Sequence, residues 1–170
     1  LSDLTQPNIH PYQKSKTLSE RAAWHFIAND DSGLELATVN PVAVMGPVLS
    51  ADYSHSNIQI QEMLAGKIKA VPEVDSGYVD VRDVASLHII AMTSPKAAGQ
   101  RFLATTGETL SFLDVANILR DAFPTFASNL PTKVIPAAVI RQQAINDPML
   151  KMVASVAGTY AETSNAKAKK

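Results

Sequence analysis

Two residues near the start of the chain could carry chemistry together. Tyr12 and Lys16 place a phenol and an ammonium four residues apart, which is one turn along the same face of a helix. A nearby ammonium favours the phenolate and lowers the pKa of a tyrosine from about 10 toward working pH. Such a tyrosine can donate a proton to a carbonyl oxygen while hydride arrives from a nicotinamide, and the lysine can hydrogen-bond to the cofactor's ribose. The spacing alone is weak support, because tyrosines and lysines are numerous enough here to produce it by chance.

The pair opens the first predicted helix, over residues 11–29. Proline suits the first turn because its missing N–H costs nothing there, and apolar residues recur behind it at helical spacing. A short, mostly buried strand is predicted over 34–40, stopping at Pro41, and an apolar loop over 40–47 follows it. Ligands bind at the carboxyl ends of strands in open α/β sheets, so this loop is expected to border the same crevice as the helix. An ordinary strand-exit turn is the alternative.

Further helices and strands alternate along the rest of the chain. The predicted helices cover 58–64, 84–92 and 112–123, and the predicted strands cover 78–82 and 101–105. Asp83 is expected to cap the second of these helices and Ser111 the third. Leu87, Ile90 and Ala91 are expected to form the buried face of the second. The alternation predicts an α/β chain with parallel strand pairing.

Composition argues against several classes of function. The 170 residues carry a net charge of −1 and no cysteine, which removes disulfides, thiolate metal sites and cysteine nucleophiles and predicts a reducing, cytoplasmic environment. The near-neutral charge gives no sign of nucleic acid or an anionic membrane as a partner. No apolar run approaches the roughly 20 residues of a membrane span. The four histidines lack close metal-type spacing, so no metal site is predicted.

Three segments together resemble one family. They are YQKSKTLSERAAW over residues 12–24, NPVAVMGP over 40–47, and YVDVRDVA over 78–85 with His88. In this order and at these spacings they resemble the extended short-chain dehydrogenases/reductases. Within that family they most resemble the dihydroflavonol reductase and cinnamoyl-CoA reductase group, and the similarity covers nearly the whole chain.

The resemblance implies an activity and a set of site residues. It implies reduction of an aldehyde or ketone to an alcohol with NADP or NAD, NADP being favoured. Tyr12 would be the proton donor, and Lys16 would activate it and bind the ribose. The residues that would contact the cofactor are Tyr12, Lys16, Pro41, Ala43, Val44 and Ser56.

Two features of the family are not found in the sequence. One is the glycine-rich turn that cradles a pyrophosphate, and the other is the catalytic serine or threonine on a strand upstream of Tyr12, since Ser2 reads as a loop residue. The chain is therefore interpreted as the C-terminal part of an α/β, Rossmann-type, doubly wound parallel sheet with a smaller, mostly helical substrate-binding subdomain. Residues 1–48 are assigned to the catalytic helix and the nicotinamide-side strand and loop. Residues 49–170 are assigned mainly to the substrate-binding subdomain, with interleaved Rossmann elements.

Alternative functions stay open at this point. The same fold could serve a nucleotide-sugar epimerase or dehydratase, a hydroxysteroid-type dehydrogenase, or a non-catalytic NAD(P)-binding regulatory relative. The segment 16–24 favours a reductase, and retention of both members of the tyrosine–lysine pair argues for catalysis. A small carbonyl compound is the expected substrate, selected by residues in 48–78 and 125–160. A homodimer through the helix that carries Trp24 is a further expectation.

Overall fold

Helices and strands alternate along most of the chain. The computed structural model describes residues 2–5, 9–160 and 162–170. The α-helices in that part are α1 (Pro11–Ala28), α2 (His55–Leu64), α3 (Val81–Thr93), α4 (Phe112–Ala122), α5 (Ala137–Gln143) and α6 (Pro148–Val156). The strands are β1 (Thr38–Pro41), β2 (Ala43–Met45), β3 (Val71–Pro72), β4 (Asp75–Asp80), β5 (Arg101–Ala104), β6 (Thr109–Ser111) and β7 (Val134–Ile135).

The helix that carries Tyr12 and Lys16 forms where the sequence predicts it. His10 caps α1, because its Nδ1 accepts a hydrogen bond from the backbone N–H of Tyr12 at 3.2 Å. Pro11 occupies the first turn, where no N–H is needed. Only Thr17 is buried on this helix, so most of its surface, including the predicted catalytic pair, is accessible.

The strands pair in parallel with one exception. β1 pairs in parallel with β5, β2 with β4, and β3 with β7, whereas β6 runs antiparallel to β4. Parallel pairing was expected throughout and is wrong for β6, a strand that the sequence analysis did not predict. The chain turns back over residues 105–108, which include Gly107 at a φ of 93°, and β6 then runs antiparallel to β4.

The strand predicted over 34–40 begins later, and part of the loop predicted after it is a strand. β1 begins at Thr38 and includes Pro41, and β2 begins two residues later. Among the described residues β1 has a neighbour on one side only, and an edge strand tolerates proline because the missing N–H is not required there. Val42 N then donates to Ala104 O at 3.1 Å. The chain therefore stays in the sheet where a loop was expected.

The boundary between β4 and α3 also differs from the prediction. The strand predicted over 78–82 ends at Asp80, and α3 begins at the next residue instead of at Val84. Asp80, not Asp83, caps the helix, because its carboxylate accepts from Arg82 N at 2.8 Å. The Arg82 guanidinium binds the same carboxylate at 2.6 Å, and these hydrogen bonds lower the pKa of Asp80 to about 2. Asp83 lies in the first turn, where negative charge is favourable.

One side of α3 packs on strands and the other side is exposed. Leu87 and Ala91 are half-buried, but Ile90, which was predicted to belong to the buried face, is 59% exposed. Ile89 and Met92 are exposed as well. The prediction for Ile90 is therefore wrong, because this side chain lies on the exposed side of α3, at a cavity that it shares with Phe102 and Lys167.

The buried core lies in the second part of the chain. One cluster contains Met63, Val71, Ala116 and Leu130, and another contains Val74, Ala137, Ile140 and Ala157. Ser111 caps α4 as predicted, and it exchanges hydrogen bonds with Asp114 in a capping box. This core supports the elements after α1 and leaves the helix with the catalytic pair at the surface.

Tyr78 is a polar residue buried without a hydrogen bond. It lies on β4 and is 9% exposed, and its hydroxyl has no partner among the described residues. Burial raises the pKa of Tyr78 to about 12, with smaller contributions from the charges of Asp114 and Asp75. Because this pKa is higher in the folded chain than in the unfolded chain, where it is about 10, the stability of the folded chain falls as the pH rises from about 10 through the folded-state value.

We expect Tyr78→Phe to leave the free energy of unfolding unchanged at neutral pH or to raise it by about 1 kcal/mol. The variant removes a buried hydroxyl that gave up its hydrogen bonds to water on folding. Urea unfolding of both forms at neutral and alkaline pH measures this. The stability lost by the native chain as the pH approaches 12 should be smaller in the variant. Tyr53→Phe, at a 41% exposed tyrosine, is the control. A large loss of stability in Tyr78→Phe at neutral pH would mean that the hydroxyl has a partner.

Candidate active site

Tyr12 and Lys16 lie side by side on α1. The Lys16 Nζ lies 5.7 Å from the centroid of the Tyr12 ring, within the range of a cation–π contact. Tyr12 is 61% exposed, and Lys16 is exposed as well. The two groups therefore share one accessible helix face, as their spacing predicts.

Both side chains line a cavity of about 700 Å³ at the carboxyl end of β1. The residues around this cavity are Ser2, Tyr12, Gln13, Lys16, Thr17, Glu20, Val39, Asn40, Pro41 and Arg101. A volume of this order is typical of small-molecule sites. The cavity brings a phenol and an ammonium to the end of a parallel strand, where α/β sheets bind their ligands.

Of the other four residues predicted to contact the cofactor, one lines this cavity and three do not. Pro41 lines it. Ala43 and Val44 lie on β2, and Ser56 lies in the first turn of α2; all three are half-buried and none lines the cavity. The cofactor contacts of these residues stay predictions.

A carboxylate that the sequence analysis did not single out lies in the same cavity. Glu20 is one turn beyond Lys16 on α1, and its side chain is 11% exposed. Arg101, on β5, donates to it through Nε at 2.5 Å and through Nη2 at 3.1 Å. Trp24 Nε1 and Thr38 Oγ1 each donate to Glu20 Oε1 at 3.2 Å. The three bonds from Arg101 and Thr38 connect α1 to β5 and β1, and the bond from Trp24 lies within α1.

The same contacts set the charge of Glu20. The hydrogen bond from Arg101 is the largest influence and lowers the pKa of the Glu20 carboxyl, with further lowering by Trp24 and Thr38, while partial burial acts in the opposite direction. The carboxylate is therefore ionised at neutral pH. Trp24 is half-buried beside it, and a homodimer through this helix stays a prediction.

The chain is similar in sequence and structure to characterised reductases. It is 32% identical over 131 residues to the NADPH-dependent methylglyoxal reductase of Saccharomyces cerevisiae, covering 72% of this chain and 38% of that protein. It is 37% identical over 122 residues to cinnamoyl-CoA reductase 2 of Arabidopsis thaliana, covering 72% of this chain and 35% of that protein. The crystal structure of yeast methylglyoxal/isovaleraldehyde reductase complexed with NADPH matches with a TM-score of 0.66 and 30% identity, over 76% of this chain and 41% of that chain. The chain belongs to the extended short-chain dehydrogenase/reductase family.

Within this family the chain falls in the group that contains the cinnamoyl-CoA and methylglyoxal reductases, as the resemblance predicts. The predicted Rossmann-type α/β fold is confirmed for the part of the short-chain dehydrogenase structure that the chain matches. The chain spans less than two fifths of the length of these curated relatives. No family model matches it.

The histidines of this short-chain dehydrogenase segment take part in helix contacts. His10 caps α1, and His88 Nδ1 lies 2.8 Å from the carbonyl oxygen of Val84, one turn earlier on α3. No group of three or more histidine or acidic side chains among the described residues could hold a metal ion. In the same part of the chain, no helix combines the length and apolar character needed to cross a membrane.

Sequence reasoning missed Glu20, Arg101 and Thr38 as parts of the site. Glu20 follows Lys16 by four residues, so helical spacing could have identified it as a neighbour. Arg101 lies 81 residues further along the chain, and no local pattern connects it with α1. It reaches Glu20 because β5 pairs with β1, and only the folded chain has that pairing.

Proposed function

We propose that this chain is the part of an NADPH-dependent carbonyl reductase that holds its catalytic tyrosine and lysine. The observation that carries the proposal is the accessible face shared by Tyr12 and Lys16 at the carboxyl end of β1. Similarity to a methylglyoxal reductase and a cinnamoyl-CoA reductase supports a carbonyl compound as the substrate class. The NADPH in the related crystal structure supports NADPH over NADH as the reductant.

The cavity offers groups that suit the nicotinamide end of such a cofactor. Lys16 presents an ammonium that can donate to ribose hydroxyls, and Pro41 presents an apolar rim. Ala43, Val44 and Ser56 are proposed to extend this surface beyond the cavity. When bound, the reduced nicotinamide supplies the hydride.

Tyr12 is the proposed proton donor. Its phenol would transfer a proton to the carbonyl oxygen of the substrate as negative charge develops there, and a general acid must reach hydrogen-bonding distance of that oxygen. The accessibility of Tyr12 from the cavity allows such an approach. The Lys16 ammonium, 5.7 Å from the ring centroid, then stabilises the phenolate by its charge.

The experiment is cofactor oxidation by the full-length gene product that contains this chain. With NADPH and a small aldehyde or ketone, we expect NADPH to be consumed and the alcohol to form in equal amounts, and we expect NADH to support a slower reaction. Conversion of a nucleotide sugar without net oxidation of cofactor would instead indicate an epimerase or dehydratase. Binding of NADPH with no turnover of any carbonyl compound would indicate a regulatory relative.

A further inference from the structure

The helix that carries the catalytic pair also carries a carboxylate that could disable it. Glu20 follows Lys16 by four residues, and side chains at this spacing are neighbours on a helix surface. A lysine and a glutamate so placed can form an ion pair. Glu20 instead pairs with Arg101, and Lys16 forms no ion pair with any described residue. Lys16 lies over the ring of Tyr12.

We propose that Arg101 is a positioning residue, which holds the Glu20 carboxylate away from Lys16 and leaves the Lys16 ammonium free for Tyr12 and the cofactor. The proposal rests on the function proposed above, because the need for a free ammonium comes from that chemistry. Arg101 acts through Glu20 and needs no contact with the substrate.

The hydrogen bonds of Glu20 explain why it pairs with Arg101 and not with Lys16. A carboxylate offers about four acceptor sites, and four donors already converge on Glu20: two from Arg101, one from Trp24 and one from Thr38. Arginine binds a carboxylate with a rigid two-pronged fork, whereas lysine is a point charge on a flexible stem. Three of these bonds end on Oε1 and one on Oε2, so the carboxylate is held toward Arg101, Trp24 and Thr38 and away from Lys16.

Few other charged groups lie near Glu20, so removing Arg101 should change which cation Glu20 pairs with. On α1 the nearby charged groups are Lys16 and Arg21, and Arg21 donates to Ser2 O at 3.4 Å. His10 and Tyr12 are the titratable groups at the start of the helix, and Arg101 is the charged group that reaches Glu20 from the sheet. Without Arg101, Lys16 is the cation placed by helix geometry to pair with Glu20.

The first test measures the reactivity of Lys16 in the chain itself. A limiting amount of an amine-acylating ester is added, and modification of each lysine is followed by peptide mass spectrometry. In Arg101→Gln, pairing with Glu20 favours the charged form of Lys16 and reduces its reactive neutral amine. We expect its acylation to slow by about threefold relative to Lys14, an exposed lysine on the same helix. The double variant Glu20→Gln/Arg101→Gln should restore the native rate, because no carboxylate remains to capture Lys16.

Two further variants separate this effect from damage to the fold. Arg82→Gln makes the same change at the ion pair with Asp80, outside the site, and should leave the Lys16 rate unchanged. Arg101→Lys keeps the charge but loses the fork, and should give an intermediate rate. Unchanged Lys16 reactivity in Arg101→Gln, or a double variant as slow as the single one, would overturn the proposal.

The second test uses carbonyl reduction by the full-length gene product. We expect Arg101→Gln to lower kcat by about tenfold, and we expect the double variant to recover most of this loss. A residue with a purely structural role would leave the double variant at least as impaired as the single one, and this result would overturn the proposal. If the native protein reduces no carbonyl compound, the proposed function fails, while the Lys16 acylation rates still decide whether Arg101 keeps Glu20 from Lys16.

Discussion

Tyr12→Phe is expected to lower carbonyl reduction by the full-length gene product by about a hundredfold or more, the usual range for loss of a general acid. The variant keeps the ring beside Lys16 and removes only the hydroxyl that would give its proton to the substrate. The effect should fall on kcat more than on KM for NADPH, since the ammonium of Lys16 and the rim at Pro41 remain. Steady-state kinetics with a saturating aldehyde measures the change.

Tyr160→Phe is the matched control for this prediction. It removes the same atom from a tyrosine that is 70% exposed and does not line the cavity, and it should leave turnover within about twofold, as surface changes usually do. If Tyr12→Phe also retains full activity, Tyr12 is not the proton donor. Cofactor binding by both variants should be compared first, so that loss of the proton donor is distinguished from loss of the cofactor site.

The chain by itself is expected to bind NADPH and NADH only weakly and to reduce no carbonyl compound. Dinucleotide binding in these folds depends on backbone N–H groups at a helix N-terminus after a glycine-rich turn. The glycines of this chain lie far apart, at positions 33, 46, 66, 77, 99, 107 and 158. The lysine–tyrosine face alone offers contacts to the nicotinamide riboside and none of these pyrophosphate contacts.

Calorimetric titration of the chain with each dinucleotide is the direct measurement. The full-length gene product, titrated in the same way, is the control and should bind NADPH more tightly than NADH. Submicromolar binding of either dinucleotide by the 170-residue chain would mean that a complete site lies within it and that the interpretation of the chain as one part of the enzyme is wrong.

The sequence by itself determined the features that depend on neighbouring residues. The helix that begins at Pro11 follows from proline in its first turn and apolar residues at helical spacing, and the spacing of Tyr12 and Lys16 then places both on one face. Ser111 could be identified as a cap because it bonds within the next turn. The order of motifs was enough to identify the family, which the relatives confirm.

The tertiary structure decided what depends on residues far apart in the chain. β2 was predicted to be a loop, because a short apolar segment after a proline carries no strand signal of its own. In the folded chain it pairs with β4, and this pairing makes it a strand. Ile90 was predicted to be buried, but it is 59% exposed on its side of α3. The pairing of Glu20 with Arg101 spans 81 positions and exists because β1 and β5 lie side by side. Helix caps and faces are set by contacts within a few residues, whereas strand partners and ion pairs between elements are set by which distant segments the folded chain brings together.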